Sequence, residues 1–128
     1  MANLLIVDDT PDVCRVVLRL FAKCGHAGTC VDDPTRAVAV MRAARFDLVL
    51  LDVMMPVMDG FAVLRAIRAD PVVGRTPVAM YSAISEPAQQ ARALALGADE
   101  WIVKGTPFDL LRRRLDAFLH PPTNAARN

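Results

Sequence analysis

Four short apolar runs in this chain each stop abruptly at an acid, a hydroxyl or an amine. Leu4-Leu5-Ile6-Val7 leads into Asp8-Asp9, and Leu48-Val49-Leu50-Leu51 into Asp52. Val78-Ala79-Met80-Tyr81 leads into Ser82, and Trp101-Ile102-Val103 into Lys104. A short, unbroken apolar run reads as a strand buried on both faces, the habit of a parallel sheet. In an open sheet of that kind the functional site lies beyond the carboxyl ends of the strands. The runs therefore predict both a layered α/β fold and the meeting of three carboxylates, a hydroxyl and an ammonium at one sheet edge.

Helical patterns fill the spaces between the runs, so the chain reads as successive βα units. Thr10 is placed to cap a first helix, with Pro11 in its first turn and Asp12 at its positive end. Val13, Val16, Val17, Leu20 and Phe21 give that helix one apolar stripe, and Gly25 stops it. Ala27 to Val31 is a weaker strand. Asp33-Pro34 opens a second helix through about Ala44, with Ala37, Val40, Met41 and Ala44 inward. A loop, Met54 to Gly60, precedes a third helix carrying Phe61, Leu64 and Ile67, which ends at Asp70-Pro71. Pro87 to Leu96 is a fourth helix, stopped at Gly97, and Glu100 to Val103 is the fifth strand. Thr106-Pro107 repeats the cap-then-proline start. Phe108, Leu111, Leu115 and Phe118 line the last helix, which Pro121-Pro122 ends.

With 128 residues, 54% of them apolar, the chain suits one domain with a substantial core. That domain is expected over residues 1–120, with 121–128 as a flexible tail or linker stub. A net charge of +1 gives no global attraction to nucleic acid or to an anionic membrane. Arg112-Arg113-Arg114 reads as a solvated helix face, with Asp99 or Glu100 as possible acidic counterparts in a symmetric dimer. No apolar run approaches the roughly 20 residues that span a bilayer. Met1-Ala2-Asn3 leads straight into a strand-like run, without the basic leader of a signal peptide. Cys14, Cys24 and Cys30 form no CxxC pair, so reduced thiols in a cytoplasmic protein are expected.

Asp8, Asp9 and Asp52 would repel one another unless a cation sat among them. Oxygen ligands with room for water or phosphate suit Mg²⁺, or Mn²⁺. An ionised aspartate such as Asp52 can accept a phosphoryl group as an acyl phosphate. Lys104 can supply positive charge to the phosphoryl oxygens, and Ser82 a hydrogen bond.

The ordered set Asp8-Asp9, Asp52, Ser82 and Lys104 resembles the receiver domain of two-component response regulators. So do Leu50 through Gly60, with Met54-Met55-Pro56 and Asp59-Gly60, and Gly97-Ala98-Asp99 leading to Lys104. The resemblance covers Leu4 to about Leu119. It implies a flavodoxin-like, three-layer (βα)5 fold with strand order 2-1-3-4-5. It implies phosphorylation of Asp52 by a phosphohistidine on a sensor histidine kinase or phosphotransfer protein. Mg²⁺ would be held by Asp9, Asp52 and the Met54 backbone carbonyl, with Asp8 acting mostly through water. Ser82 and Lys104 would hold the phosphoryl group, and Ser82 with Trp101 would form the switch. The face made by helix four, strand five and helix five would then change its affinity for an unknown downstream protein or effector domain. The protein would be a monomer or a phosphorylation-dependent dimer, with only weak self-catalysed transfer and hydrolysis.

Two features depart from the family pattern. Gly105 follows Lys104 where proline is usual, and a cis bond before a non-proline residue costs roughly 2.5–4 kcal/mol. The Lys104–Gly105 bond is thus expected to be trans. Met54 and Ile84 stand two residues after Asp52 and Ser82, where the family tunes water access to the acyl phosphate. Neither can activate a water, so a long-lived phosphorylated form is expected. Two other functions compete with the switch. One is a metal-dependent aspartyl phosphatase or phosphotransferase, and the other is a degenerate receiver that only binds proteins. The first usually carries Asp-x-Asp after strand one and a cap domain, and neither is seen here. All five site residues being present argues against the second.

Overall fold

Unbroken apolar runs require cover on both faces, and the fold supplies it. A computed structural model describes residues 2–119. Five parallel strands lie in the order β2-β1-β3-β4-β5: β1 (Asn3–Val7), β2 (Ala27–Val31), β3 (Leu48–Asp52), β4 (Val78–Ser82) and β5 (Glu100–Val103). The helices are α1 (Pro11–Ala22), α2 (Ala37–Ala43), α3 (Gly60–Ala69), α4 (Pro87–Ala95) and α5 (Phe108–Leu119). This is the flavodoxin-like arrangement that the resemblance implied. The expected tail, and the proline pair closing α5, lie outside the described residues.

Alternate strand residues serve separate cores because successive side chains point to opposite faces. Leu4, Ile6, Leu48 and Leu50 pack with Val17 and Phe21 of α1 and Leu111 and Leu115 of α5. Leu5, Val7, Val49 and Leu51 pack with Met41 of α2, Phe61 and Leu64 of α3, and Ala93 of α4. Each fully buried Leu or Ile contributes about 1.5–3 kcal/mol. The central strands carry such residues on both sides, which is why their runs are unbroken.

Several local expectations are corrected. The buried stripe of α1 is Cys14, Val17 and Phe21, whereas Val16 is 55% exposed. Val17 and Phe21 are buried as expected and Val13 packs against the core, while Cys14 rather than Val16 lies against the sheet, its sulfur 3.9 Å from the Ile6 carbonyl oxygen. Thr10 occupies the N-cap position without a side-chain cap bond, and its N–H donates to Asp8 Oδ1 at 2.9 Å instead. The second helix begins as a 3₁₀ turn over Pro34–Arg36, because Asp33 accepts both the N–H and the hydroxyl of Thr35. Ala44 is extended and exposed, beyond the end of α2. The Thr106 hydroxyl donates to the Val103 carbonyl, closing the turn after β5, while Pro107 offers its carbonyl to Leu110 and Leu111. In α5, Leu119 is buried and Phe118 only partly so. Arg114 turns inward to Glu100 and to the Trp101 carbonyl, so this pair forms within one chain.

The cysteine expectation is also overturned. Cys14 of α1 and Cys30 of β2 are joined by a disulfide, with Cα atoms 6.0 Å apart, and Cys24 is free and exposed.

The loop after β3 carries the one non-glycine residue with positive φ among the described residues. Val57 sits at φ 71° and is 95% exposed. A side chain there costs roughly 1–2 kcal/mol, with no packing to offset it. Val57→Gly is expected to raise stability by about 1 kcal/mol, or about 4 °C in Tm. A thermal melt in chelator checks this, and an unchanged or lower Tm contradicts it.

Candidate functional site

Parallel pairing alone brings the polar residues together. Val7 of β1 pairs with Leu51 of β3, so the next residues, Asp8 and Asp52, emerge side by side. Asp52 pairs with Tyr81 of β4, and Ser82 pairs with Val103 of β5, which places Lys104 just beyond. The Lys104 N–H donates to the Ser82 carbonyl at 2.7 Å and fixes the end of β5 against β4.

Asp8 and Asp52 are buried, and Asp9 is partly exposed. Each of the three offers a carboxylate oxygen within 4.8 Å of the others. The Lys104 ammonium lies between two of them, 2.9 Å from Asp8 Oδ2 and 3.2 Å from Asp52 Oδ1. It also stands 5.8 Å from the Tyr81 ring centroid, on the side of a π face that attracts cations. Burial works against the Lys104 charge. Its hydrogen bond to Asp8 and the nearby Asp52 charge outweigh that effect and hold its pKa above the ordinary value.

Asp52 experiences the opposite balance. Burial first, and the Asp8 charge second, push its pKa up to about 6, although Lys104 opposes both. One ammonium thus faces three carboxylates, which leaves an excess of negative charge in a partly dehydrated pocket. A hard divalent cation is what this donor set suits: all oxygen, acidic, and still open to solvent at Asp9.

The backbone around Asp52 is equally constrained. The Met54 N–H approaches Asp52 Oδ1 at 3.4 Å, and the Met54 side chain is 68% exposed. A Cβ on Gly60 would fall 2.2 Å from the Asp52 carbonyl oxygen. Only glycine lets the start of α3 approach β3 so closely. Asp59 caps α3 by accepting the Ala62 N–H. No peptide bond among the described residues is cis, so Lys104–Gly105 is trans as expected. Gly105 takes φ +91°, a turn that proline could not make.

Ser82 is fully buried, and its Oγ accepts the Ile84 N–H at 3.2 Å. Trp101 is only 6% exposed. Its indole N–H donates to the Ile84 carbonyl at 3.2 Å, and its ring lies 6.4 Å from that of Phe61. The Ile84 peptide units therefore link Ser82 to Trp101, a connection that strand patterning did not signal. The ring packs inside the core formed by α2, α3 and α4 on the sheet. Tyr81 beneath Lys104 was also missed, because an apolar run gives no sign of which ring lies under the ammonium.

Residues 4–116 match the model of a response regulator receiver domain. The chain is 35% identical over 103 residues to the gliding motility regulatory protein of Myxococcus xanthus, covering 80% of this chain and 13% of that protein. It superposes on the chemotaxis protein CheY4 of Vibrio cholerae with a TM-score of 0.87 at 32% identity, covering 93% of this chain and 99% of the other. The receiver domain of sensor histidine kinase PA1611 from Pseudomonas aeruginosa, solved with a magnesium ion coordinated in its active-site cleft, gives 0.82 at 27% identity. That match covers 92% of this chain and 97% of the other. The chain spans 13% to 52% of the length of the leading curated relatives that it matches.

Proposed function

Because this chain belongs to the family of response regulator receiver domains, we propose that residues 1–120 act as a phosphorylation-controlled switch with Asp52 as phosphoacceptor. The observation that carries this reading is the Lys104 ammonium lying between Asp8 and Asp52 at the carboxyl edge of the sheet. Receiver domains take phosphoryl groups from histidine kinases or phosphotransfer proteins, and a phosphohistidine donor of that kind is the partner for Asp52.

Asp9, Asp52 and the Met54 backbone carbonyl would hold Mg²⁺, or Mn²⁺, with Asp8 contributing mostly through water. A bound divalent ion would neutralise charge developing on the transferred phosphoryl oxygens. The Asp52 carboxylate supplies the nucleophile. Lys104, held charged by its acidic neighbours, pairs with a phosphoryl oxygen after transfer. Ser82 exchanges its bond with the Ile84 N–H for one donated to the phosphoryl group. That exchange loosens the Ile84 segment on which the Trp101 N–H rests, and so reaches the surface of α4, β5 and α5. This surface would engage a downstream protein or an effector domain. Transfer and hydrolysis assisted by the chain itself would be slow, as befits a signalling domain rather than an enzyme. No described helix is long and apolar enough to cross a membrane, and we place the protein in the cytoplasm.

Beryllofluoride, a tetrahedral stand-in for a phosphoryl group, tests the reading. Titration should change Trp101 fluorescence only when Mg²⁺ is present. A response without metal, or none with it, contradicts the switch and favours a module that only binds proteins.

The phosphorylated state should also persist. Met54 and Ile84 carry no group that can orient a water toward the acyl phosphate. Phosphate loss from purified protein in Mg²⁺ is expected to take minutes or longer, and a half-life of seconds would refute this.

A further inference from the structure

The disulfide between Cys14 and Cys30 lies next to the acidic cluster. The two cysteines, Asp8, Pro11, Arg15 and Asp32 line one cavity of about 280 Å³. Cys14 stands on the first turns of α1, only a few residues after Asp8-Asp9, and is buried. Cys30 stands on β2, an edge strand, and is exposed. The helix and the strand are already in close contact: a Cβ on Gly28 would lie 2.2 Å from Leu18 Cδ2. A crosslink at this point pins the start of α1 to the sheet edge, and the turn carrying Asp8 and Asp9 leads directly into that helix.

We propose that Cys14 and Cys30 form a reversible redox pair whose oxidised state holds Asp8 and Asp9 converged for a divalent cation. The inference rests on the reading of Asp8, Asp9 and Asp52 as the metal set. In a cytoplasmic protein a disulfide is usually transient and sensing rather than permanent. Exposure of one sulfur is the usual condition for exchange with small thiols. The oxidant is a low-molecular-weight disulfide, RSSR. The Cys30 thiolate attacks one of its sulfurs, forming Cys30–SR and releasing RS⁻. The Cys14 thiolate then displaces the second RS⁻ and closes Cys14–Cys30. Two cysteine sulfurs are oxidised, one RSSR is reduced to two RSH, and the two thiol protons leave with them. Excess RSH reverses both steps.

The oxidised protein has the three acids already gathered, so binding a cation needs less ordering of the α1 start. Mg²⁺ is expected to bind the oxidised form about fivefold more tightly than the reduced form, at the low end of common coupling strengths. Linkage requires the reciprocal effect: saturating Mg²⁺ must favour the disulfide by the same factor, lowering its midpoint potential by about 20 mV.

Both arms can be measured in a Cys24→Ser background, which removes the exposed free thiol. Protein is equilibrated in graded ratios of reduced to oxidised glutathione, with and without Mg²⁺, and its thiols are counted by maleimide labelling. Mg²⁺ affinity is measured by calorimetry on the fully oxidised and fully reduced forms. Cys30→Ser, at the exposed edge, should show the reduced-form affinity in every buffer. A dithiol that never closes, or a Mg²⁺ affinity indifferent to redox state, overturns the proposal and leaves the metal reading intact. Failure of Mg²⁺ to bind either form overturns the metal reading, and this coupling with it.

Discussion

Asp52→Asn is expected to abolish phosphorylation while making the metal-free fold more stable. Incubated with acetyl phosphate and Mg²⁺, the wild type should gain one phosphoryl group by mass spectrometry, and the variant none. The amide has no ionised oxygen to form the acyl phosphate. The neighbouring Ser82 does not substitute, because a neutral hydroxyl is a weak nucleophile unless a base takes its proton. Asp52→Ala should fail in the same way. The gain in stability comes from the raised Asp52 pKa. The carboxyl titrates at about 6 in the fold against 3.8 in a free chain. Between those values the native state holds more protons than the unfolded state, so stability falls as pH rises through this window and stays low above it. The shift is equivalent to about 3 kcal/mol, and solvent at the pocket mouth reduces this to about 2 kcal/mol. In chelator at neutral pH, Asp52→Asn should therefore raise Tm by about 7 °C. It should also flatten the fall in stability between pH 4 and 6. Lys104 keeps Asp8 as its partner in the variant. Added Mg²⁺ should stabilise the wild type and leave the variant unmoved. A variant that melts lower in chelator, with the pH slope intact, would mean that Asp52 is not under electrostatic pressure.

The sheet and its polar edge were legible because each rests on a local signal. A strand covered on both faces must be apolar at every position, and Leu4–Val7 and Leu48–Leu51 are so. Pairing in register then carries Asp8, Asp52, Ser82 and Lys104 to one edge without further information. Features that depend on which elements become neighbours were hidden. Cys14 and Cys30 are separated by 16 positions with no motif between them, and only the packing of α1 on β2 joins them. The burial of Cys14 in place of Val16 was hidden for a related reason. Val16 completes a regular stripe on paper, but Cys14 is the smaller residue that fits against the Ile6 backbone. Val57 gave no sign of a left-handed conformation, since β-branched residues ordinarily avoid it. Arg114 belonged to a run of three arginines, and its turn toward Glu100 needed β5 and α5 to lie side by side.

Arg68 makes a contribution that local patterning could not reveal, and Arg68→Ala is expected to lower stability by about 3 kcal/mol. On α3 it looks like one more surface arginine. In the fold its guanidinium donates to the carbonyls of Gly97, Gly74 and Thr76, at 2.6 to 3.1 Å, and pairs with the Asp99 carboxylate at 3.0 Å. The same Asp99 oxygen accepts the Val78 N–H at 2.8 Å. One side chain thus ties the end of α3 to the segment entering β4 and to the turn entering β5. A hydrogen bond to a charged donor contributes about 1.5–3 kcal/mol, but the guanidinium is partly exposed and water can take its place at the freed carbonyls, so the net loss stays near the worth of one or two such bonds. Alanine is a good helix former, so the loss is not a matter of α3 propensity. A fall in Tm of about 11 °C should follow. Arg68→Lys should recover less than half, because an ammonium cannot fork across several carbonyls. Gly97 is held to the same arrangement: a Cβ there would meet Arg68 Nε at 2.9 Å, at a residue already at φ +103°. All these contacts lie at the amino ends of β4 and β5, opposite the acidic edge. Phosphorylation of Arg68→Ala by acetyl phosphate, measured well below its Tm, should therefore match the wild type. A variant that melts normally would mean that water replaces the guanidinium at little cost. A stable variant that fails to take phosphate would instead mean that the two ends of the sheet are coupled.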